Sequence, residues 1–301
     1  MRIAITGSSG LLGTALRGRL TADGHEVVRI VRREAGASEV RWDPSAGSID
    51  AAGLEGLDGV VNLAGAGIGD ERWSDERKRV LVTSRTESTD LLARTLAACA
   101  RPPKVLLSGS AIGFYGDRGD EELTEDSTPG DGFLSELCVA WEAATGPAEA
   151  AGIRTAHLRT GIVLSADGGA LAKMLLPFKL GIGGRLGSGQ QWMSWISIDD
   201  HVRAMTHLLT AEVHGPVDLT APEPARNIEF TKALGRELGR PTILPIPRIG
   251  PRLLLGKELA QALLYESQRV KPSVLERSGF SFRHATIEDA LAAVLGDEEI
   301  A

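Results

Sequence analysis

The chain has 301 residues, of which 43% are hydrophobic and 24% charged, as in an ordinary globular protein. Its formal net charge of −7 argues against a nucleic-acid-binding surface, and no apolar run approaches the ~20 residues of a membrane helix. We see no signal-peptide pattern, and the two cysteines and six histidines lack metal-ligand spacing. These features predict a cytoplasmic α/β protein without a metal centre that acts on a small molecule, not on nucleic acid or membrane.

The strongest motif lies in the first thirteen residues. Arg2–Thr6 predicts a short buried strand, and Leu11–Ala22 has the apolar rhythm of a helix. Glycines at three-residue spacing join the two, so free backbone N–H groups converge on one point, where a pyrophosphate can bind. The spacing is Gly-x-x-Gly-x-x-Gly, not the commoner Gly-x-Gly-x-x-Gly. We expect cofactor contacts from Gly7, Ser9, Gly10, Leu11, Leu12 and Gly13.

The next strand suggests which nicotinamide cofactor binds. Glu26–Val31 predicts a second parallel strand, which ends in Arg32 and Arg33. An acidic residue near this point accepts the ribose 2′-hydroxyl of NAD(H), whereas arginine suits the 2′-phosphate of NADP(H). The nearest acid, Glu34, lies beyond the two arginines. The pattern favours NADP(H) over NAD(H), although a solvated charge pair at a strand end would look the same.

The middle of the chain continues the alternation of strands and helices. Residues 39–42 and 58–65 predict a third and a fourth strand, and residues 74–100 predict a long helix that begins at Ser74. Arg85, about three turns into this helix, is expected either to point at the cofactor phosphates or to lie on a solvated face. Small residues after the fourth strand let the backbone lie against a flat cofactor, at Leu63, Ala64 and Gly65.

Candidate catalytic residues follow the fifth predicted strand. Residues 104–116 predict a strand that breaks into a loop of hydroxyl-bearing and small residues. In an open parallel sheet, ligands bind where such loops leave the carboxyl ends of the strands. This placement makes Ser110 and Tyr115 the catalytic candidates. Further cofactor contacts are expected here and after the sixth strand, residues 153–158, from Ser108, Gly109, Arg159 and Gly161.

The pattern changes after Ser165. Residues 168–177 predict a short helix, residues 181–189 are rich in glycine, and Asp199 is a plausible N-cap for a helix through Leu209. We predict a Rossmann-type doubly wound parallel sheet of α/β class with a small, mostly helical C-terminal substrate region. The expected division is residues 1–164 plus about 194–213 for the cofactor and about 165–193 plus 214–301 for the substrate. The candidates for the substrate pocket are expected either to form its wall or simply to pack against other residues. They are Trp73, Lys173, Gln191, Trp192 and Trp195.

Several segments resemble the extended short-chain dehydrogenase/reductase superfamily, and more narrowly its NAD(P)-dependent epimerase/dehydratase-like branch. They include Gly7-Ser-Ser-Gly-Leu-Leu-Gly13, Asn62-Leu-Ala-Gly65, Ser84-Arg85, Leu158-Arg-Thr-Gly-Ile-Val-Leu164 and Trp195-Ile-Ser-Ile-Asp-Asp200. The resemblance covers the whole chain. It implies a Rossmann-type domain that binds NADP(H), a small C-terminal substrate region and the possibility of a homodimer.

The superfamily's proton-transfer motif, Tyr-x-x-x-Lys, is absent. The chain has two tyrosines, and the residues four positions after them are Gly119 and Arg269. If Glu142 matches the superfamily's helix glutamate, Leu134 and Cys138 occupy the tyrosine and lysine positions.

Two interpretations remain. The protein could be an oxidoreductase or epimerase with a different acid/base set, in which Tyr115 donates the proton, Ser110 positions the substrate carbonyl and Lys173 or Glu136 assists. It could instead be a catalytically inactive NADP(H)-binding redox sensor or scaffold.

Overall fold

The structure is a computed structural model that describes residues 1–296, so the end of the predicted substrate region, residues 297–301, lies outside the described residues. The strands are β1 Arg2–Thr6, β2 Glu26–Val31, β3 Glu39–Asp43, β4 Ser48–Ile49, β5 Gly59–Asn62, β6 Val105–Ala111, β7 Glu122–Leu123, β8 Arg154–Thr160, β9 Ile162–Leu164, β10 Trp192–Met193, β11 Trp195–Ser197, β12 Gly215–Leu219, β13 Ala225–Arg226 and β14 Arg269–Val270. The helices are α1 Leu11–Ala22, α2 Asp75–Ala98, α3 Phe133–Ala143, α4 Gly146–Ala150, α5 Gly169–Lys179, α6 Ile198–Leu208, α7 Asn227–Glu237, α8 Ile249–Leu255, α9 Lys257–Leu264, α10 Ser273–Arg277 and α11 Ile287–Leu295.

The central element is a sheet in the order β12-β8-β6-β5-β1-β2-β3-β4. Its neighbouring strands are parallel except for the short pair β3 and β4, which is antiparallel. The order runs outward from β1 in both directions, which places crossover helices on both faces. The predicted doubly wound Rossmann-type sheet is therefore confirmed.

Both faces of the sheet are covered because side chains alternate along each strand. Ile3 and Ile5 of β1 pack with Leu16 of α1 on one face, whereas Ala4 packs with Leu92 of α2 on the other. All five side chains are at most 1% exposed. Burial on both faces explains the nearly continuous apolar runs by which the strands are recognisable in the sequence.

A second hydrophobic core lies mainly in the C-terminal region and also includes Leu164 and Trp195 of the expected cofactor part. Leu171 of α5, Trp195 of β11, Phe230 of α7 and Leu291 of α11 belong to one buried cluster. The region is mostly helical, as expected, while the exact division between cofactor and substrate regions stays a prediction. None of the described helices combines the length and apolar character required to cross a bilayer.

Helices α8 and α9 are tied to the Rossmann-type part by two long side chains. Arg72 donates hydrogen bonds to the carbonyl oxygens of Leu253 and, at 3.0 Å, Leu254 at the end of α8. Lys78 of α2 forms an ion pair with Glu258 of α9 at 2.5 Å. These contacts hold the C-terminal helices over the edge where the parallel strands end.

The start of α6 differs from the prediction. The helix is capped by Ser197, whose Oγ accepts a hydrogen bond from the Asp200 backbone N–H at 3.1 Å, and Asp199 lies in the first turn. The prediction of Asp199 as N-cap was therefore wrong by two residues. Serine and aspartate both cap helices well. Because β11 ends at Ser197 and α6 begins at Ile198, Ser197 occupies the capping position and Asp199 already lies within the helix.

Candidate functional site

The glycine turn between β1 and α1 needs glycine at two of its three positions. Gly7 has φ +63°, and a Cβ atom there would lie 2.6 Å from the Leu63 carbonyl oxygen. A Cβ on Gly13 would lie 2.2 Å from the Gly7 carbonyl oxygen, so helix and strand pack too closely for any side chain. Gly10 is exposed, and a Cβ there would come no closer than 3.4 Å to other atoms. The outer side of the turn is therefore open to a ligand, beside exposed Ser9 and half-buried Leu11 and Leu12.

The two arginines at the end of β2 have different surroundings. Arg33 donates to both carboxylate oxygens of Glu39 at 2.6 and 2.7 Å, so its guanidinium is occupied. Arg32 is exposed and has no ion-pair partner among the described residues. Arg29, which the sequence analysis did not single out, donates to Ser8 Oγ at 3.2 Å and lies 3.2 Å from Glu39. Arg29 lies within β2, shortly before Arg32 and Arg33, and this position was the sequence signal that could have identified it.

A buried hydrogen-bond network fixes the loop after β5. Thr6 Oγ1 donates to Asn62 Oδ1 at 2.7 Å and accepts from the backbone N–H groups of Leu63 and Ala64 at 3.0 and 3.1 Å. Gly65 follows, where an added Cβ would lie 3.1 Å from Arg85 Cζ. The small residues predicted here thus let the loop pack closely against Arg85. The backbone N–H groups of Leu63 and Ala64 already donate to Thr6 and are not free for a ligand.

Arg85 is a buried cation. Its side chain donates to the carbonyl oxygens of Leu81 and Ala66 at 3.1 and 2.9 Å and lies over the Trp141 ring, 5.0 Å from its centroid. The residue is 7% exposed, and no carboxylate among residues 1–296 pairs with it. Burial lowers the pKa of Arg85 to about 10, because desolvation disfavours the charge. A buried guanidinium in this state is stabilised by an anionic ligand.

Arg85 faces a large cavity, which we call the main cavity, of about 630 Å³. It lies between the carboxyl ends of the parallel strands and the C-terminal region, where ligands bind in open α/β sheets. The Rossmann-type part contributes residues that include Leu11, Arg85, Ala111, Cys138 and Gly161, and the C-terminal region contributes Lys173, Gln191, Trp192, Leu254, Leu263 and Glu266.

A second cavity of about 430 Å³, the adjoining cavity, shares part of the same wall. The two have Gly113, Leu134, Ala262 and Glu266 in common. The other walls of the adjoining cavity include Trp73, Phe133, Arg252 and Lys257.

The predicted catalytic pair lies outside both cavities. Ser110 is 4% exposed and donates to Glu142 Oε1 at 2.7 Å. Tyr115 has no exposed surface, and its hydroxyl donates to the Asp218 carboxyl at 2.9 Å and accepts from Arg159 at 3.0 Å. The 3-10 helix Ile112–Tyr115 turns the ring away from the end of the strand and into the protein.

This placement argues against Tyr115 as the proton donor. Burial, reinforced by the nearby Asp218 carboxylate, raises the pKa of Tyr115 above its usual value. Burial likewise raises the pKa of Asp218 well above its usual value. Together with Ser110, Glu142 and Arg159, the two residues form a buried polar network that joins β6, α3, β8 and β12. These hydrogen bonds give Ser110 and Tyr115 a structural role.

Three expected cofactor residues belong to the protein interior as well. Arg159 is 4% exposed and donates to both Glu142 oxygens at 2.8 and 2.9 Å. Ser108 is fully buried, and a Cβ on Gly109 would lie 2.8 Å from the Trp141 ring. Gly161 does line the main cavity, and a Cβ there would lie 2.6 Å from the Ser194 carbonyl oxygen. Thr160 and Gly161 at the end of β8 line the main cavity, whereas Arg159, Ser108 and Gly109 do not.

The expected substrate-pocket residues divide in three ways. Lys173, Gln191 and Trp192 line the main cavity. Trp73 lines the adjoining cavity. Trp195 is fully buried in the C-terminal hydrophobic core and lines neither cavity, because β11 directs it between α5, α7 and α11. Of the assisting candidates, Lys173 thus reaches the main cavity, whereas Glu136 is exposed on α3 and lines neither cavity.

Glu266 is another residue that the sequence analysis did not single out. It follows α9, lines both cavities, and burial raises the pKa of its carboxyl to about 7, with a further contribution from Asp117. No local pattern marks it, because the residues that surround it come from distant parts of the chain. Leu134 and Cys138, which would replace the superfamily's tyrosine and lysine if Glu142 matches its helix glutamate, line the main cavity. Burial raises the pKa of the Cys138 thiol to about 11, so the thiol is a poor acid near neutral pH.

Among the described residues, one group brings potential metal ligands together, namely Asp199, Asp200 and His284. The Asp200 carboxylate already accepts hydrogen bonds from the backbone N–H groups of Arg283 and His284 at 2.9 to 3.1 Å and pairs with Arg203. This carboxylate ties α6 to the segment before α11, and the absence of a metal centre stays a prediction.

Comparison with known proteins identifies relatives over the full length of the chain. The model of the NAD-dependent epimerase/dehydratase family matches residues 3–219, and a model described only as a domain of unknown function matches residues 246–294. An epimerase family protein of Mycobacterium tuberculosis is 45% identical over 96% of both chains. The human epimerase family protein SDR39U1 is 38% identical over 98% of this chain and 100% of the relative.

Two solved structures are similar as well. The human SDR39U1 structure, determined with NADPH, has a TM-score of 0.90 and 36% identity, and the match covers 99% of this chain and 100% of that one. A nucleoside-diphosphate sugar epimerase from Corynebacterium glutamicum has a TM-score of 0.82 and 39% identity, over 99% of this chain and 58% of that one. The resemblance to the extended short-chain dehydrogenase/reductase superfamily is confirmed, and this chain belongs to the NAD-dependent epimerase/dehydratase family.

Proposed function

We propose that the protein binds NADP(H) and catalyses oxidoreduction or epimerisation of a small carbonyl or hydroxyl compound. The observation that carries the proposal is that the main cavity is lined both by Leu11, which directly follows the glycine turn, and by a titratable carboxyl, Glu266. When bound, NADPH supplies a hydride to a carbonyl carbon, and the protein must then provide a proton for the oxygen.

The residues around the glycine turn fit this cofactor. The open side of Gly10 and the N-terminus of α1 suit a pyrophosphate, and Arg32 at the end of β2 suits a 2′-phosphate. The buried Arg85 guanidinium can pair with an anionic group of the cofactor or of the substrate. The human relative determined with NADPH, at 36% identity over nearly the whole chain, supports the same choice.

We assign proton exchange to Glu266 instead of Tyr115. A pKa of about 7 lets a carboxyl group hold a proton at neutral pH and release it readily. Tyr115 has no exposed surface and a pKa raised above its ordinary value, so it lacks both access and acidity. Lys173 also faces the cavity and can orient the substrate oxygen.

Glu266→Gln tests this assignment. In the direction of carbonyl reduction, the protonated form is active, so kcat/KM of the wild-type protein should fall as pH rises through about 7. The variant should lose this inflection and about 10²- to 10⁴-fold in rate, the usual contribution of general acid catalysis. Glu276→Gln, at an exposed site on α10, is the matched control. A Glu266→Gln variant with wild-type rate and pH profile would refute the role.

A cofactor-binding sensor is the second candidate function. It is favoured by the absence of Tyr-x-x-x-Lys from the chain; if Glu142 matches the superfamily's helix glutamate, Leu134 and Cys138 stand in place of the tyrosine and lysine. A sensor would bind NADPH as tightly as an enzyme would, but it would not oxidise NADPH with any carbonyl compound. In a sensor, Glu266→Gln would leave the NADPH affinity unchanged.

Location and assembly are also part of the proposal. We place the protein in the cytoplasm, where Cys99 and Cys138, both free thiols in the structure, stay reduced. A homodimer, common in this superfamily, stays a prediction that light scattering of the full chain tests.

A further inference from the structure

The main cavity is apolar where the C-terminal helices close it. Leu254, Leu255, Leu263 and Leu264 of α8 and α9 face it together with Trp192. Leu254 is 74% and Leu263 41% exposed, so apolar side chains continue to the mouth of the cavity. Such exposed apolar groups are stabilised when an apolar ligand removes them from water.

Within residues 1–296, two of the three side-chain amides that line the main cavity, Gln191 and Asn227 but not Gln268, are already engaged by the protein. Gln191 Nε2 donates to the carbonyl oxygens of Leu186 and Leu264 at 3.3 and 2.9 Å. Asn227 Oδ1 accepts from the Leu186 backbone N–H at 2.7 Å, and its Nδ2 lies 3.3 Å from Met193 Sδ. A sugar with several hydroxyls needs many free polar partners, because each unpaired hydroxyl loses its hydrogen bonds to water. The lining therefore favours a substrate with few hydroxyl groups.

The adjoining cavity contains a guanidinium that is unpaired among the described residues, although the carboxyl groups of Asp131, Glu258 and Glu266 also line it. Arg252 lines it beside Lys257, and the Arg252 Nε atom is buried without a hydrogen-bond partner. No carboxylate within residues 1–296 forms an ion pair with Arg252, whereas the nearby Glu258 is paired with Lys78. A carboxylate, sulfonate or phosphate group would satisfy this guanidinium by charge-assisted hydrogen bonds.

The two cavities share part of one wall. Leu134 and Glu266 line both, and beyond them the Trp73 and Phe133 rings pack edge to face at 5.0 Å in the adjoining cavity. A ligand that occupies both cavities would extend from the leucines of α8 and α9, past the Glu266 carboxyl, to Arg252.

Building on the proposed function, we propose that the substrate is an amphipathic organic anion and not a nucleotide sugar. Its apolar body lies in the main cavity, and its anionic group binds Arg252 in the adjoining cavity. The reacting carbonyl or hydroxyl group lies between them, within reach of Glu266.

A pair of fluorescent dyes tests the proposal directly. Anilinonaphthalene sulfonate is an apolar anion, and N-phenyl-1-naphthylamine is the same ring system without the sulfonate. Both are titrated into the full-length protein saturated with NADP⁺, which does not fluoresce. We expect one sulfonate dye per chain, bound about tenfold more tightly than the neutral dye, as one charge-assisted hydrogen-bonded contact provides.

Three variants assign the two ends of the site. Arg252→Gln should weaken the sulfonate dye about tenfold and leave the neutral dye unchanged. Arg248→Gln is the matched control on the neighbouring helix turn, because Arg248 lies over the Tyr265 ring and lines neither cavity. Leu263→Gln, at a partly exposed site, should weaken both dyes.

Failure of this inference can be told apart from failure of the proposed function. Wild-type affinity of Arg252→Gln for the sulfonate dye, no binding of either dye, or displacement of the dye by UDP-glucose would overturn the inference. Calorimetry with NADP⁺ on the same samples reports cofactor binding separately. If the cofactor binds and the dyes do not, the substrate class is wrong and the cofactor assignment stands.

Discussion

Buried charges determine the character of this site at the scale of single residues. Arg85 and Arg252 lack acidic partners among the described residues, whereas Arg159 is held by two hydrogen bonds to Glu142. The first two can therefore receive an anionic ligand at little cost, since no ion pair has to be broken. Arg159 is already neutralised and stabilises the fold instead.

Arg32→Asp tests the choice of cofactor. Replacing the exposed arginine by an acid removes a partner for the 2′-phosphate and adds repulsion, but leaves the rest of the turn intact. We expect NADPH affinity to fall roughly ten- to a hundredfold, equivalent to 1.5–3 kcal/mol for a hydrogen bond to a charged group. NADH affinity should change little in the same calorimetric titrations. Equal losses for both cofactors would exclude a 2′-phosphate contact.

Tyr115→Phe tests the structural role of the buried network. Without the hydroxyl, Asp218 and Arg159 lose a common partner, so the free energy of unfolding should fall by about 1–3 kcal/mol. Denaturant titration measures this loss, and NADPH affinity of the folded variant should equal that of the wild type. Retained stability combined with abolished NADPH turnover would restore Tyr115 as the proton donor.

Ser110 and Tyr115, the predicted catalytic pair, show what a sequence pattern leaves open. The sequence places Ser110 and Tyr115 near the carboxyl end of a strand, which is the right edge of the sheet. Which way each side chain points depends on the 3-10 helix Ile112–Tyr115 and on acids contributed by α3 and β12. Glu266, to which we assign proton exchange, has no sequence signal for the corresponding reason, since its neighbours come from distant parts of the chain.

At the scale of elements, the glycine turn is the part that the sequence specifies most strongly. Gly7 and Gly13 are required by backbone contacts made within a few residues and by the adjacent β5 loop, so a local motif is sufficient to predict them. Strand β1 and helix α1 were likewise predictable, because burial on both faces of the sheet and on one face of the helix leaves a clear apolar pattern.

Gly13→Ala tests the close packing of α1 on the turn. The added Cβ would lie 2.2 Å from the Gly7 carbonyl oxygen, so the turn must shift and the cofactor site with it. We expect loss of measurable NADPH binding and destabilisation of about 1–3 kcal/mol, the usual cost of overpacking.

Gly18→Ala is the matched control in the same helix. A Cβ there meets nothing within 4 Å, and alanine favours helix by about 0.5–1 kcal/mol over glycine. This variant should bind NADPH as the wild type does and be at least as stable in thermal unfolding. If Gly13→Ala behaved like Gly18→Ala, the turn would not depend on close backbone contact.

At the scale of the whole molecule, the cavities form where two separately packed regions meet. The doubly wound sheet was predictable from its alternating strands and helices, and the helical C-terminal region from the change of pattern after Ser165. The way in which Arg72 and Lys78 fasten α8 and α9 over the strand ends was not, because these contacts join residues about 180 positions apart. The composition of the cavity follows from that placement.

The most direct test of the account is calorimetric titration of the full-length protein with NADPH and NADH. We predict one NADPH per chain, bound at least about tenfold more tightly than NADH, which corresponds to about 1.4 kcal/mol from the 2′-phosphate. Absence of NADPH binding, or tighter binding of NADH, would contradict the central claim that the glycine turn and Arg32 form an NADP(H) site.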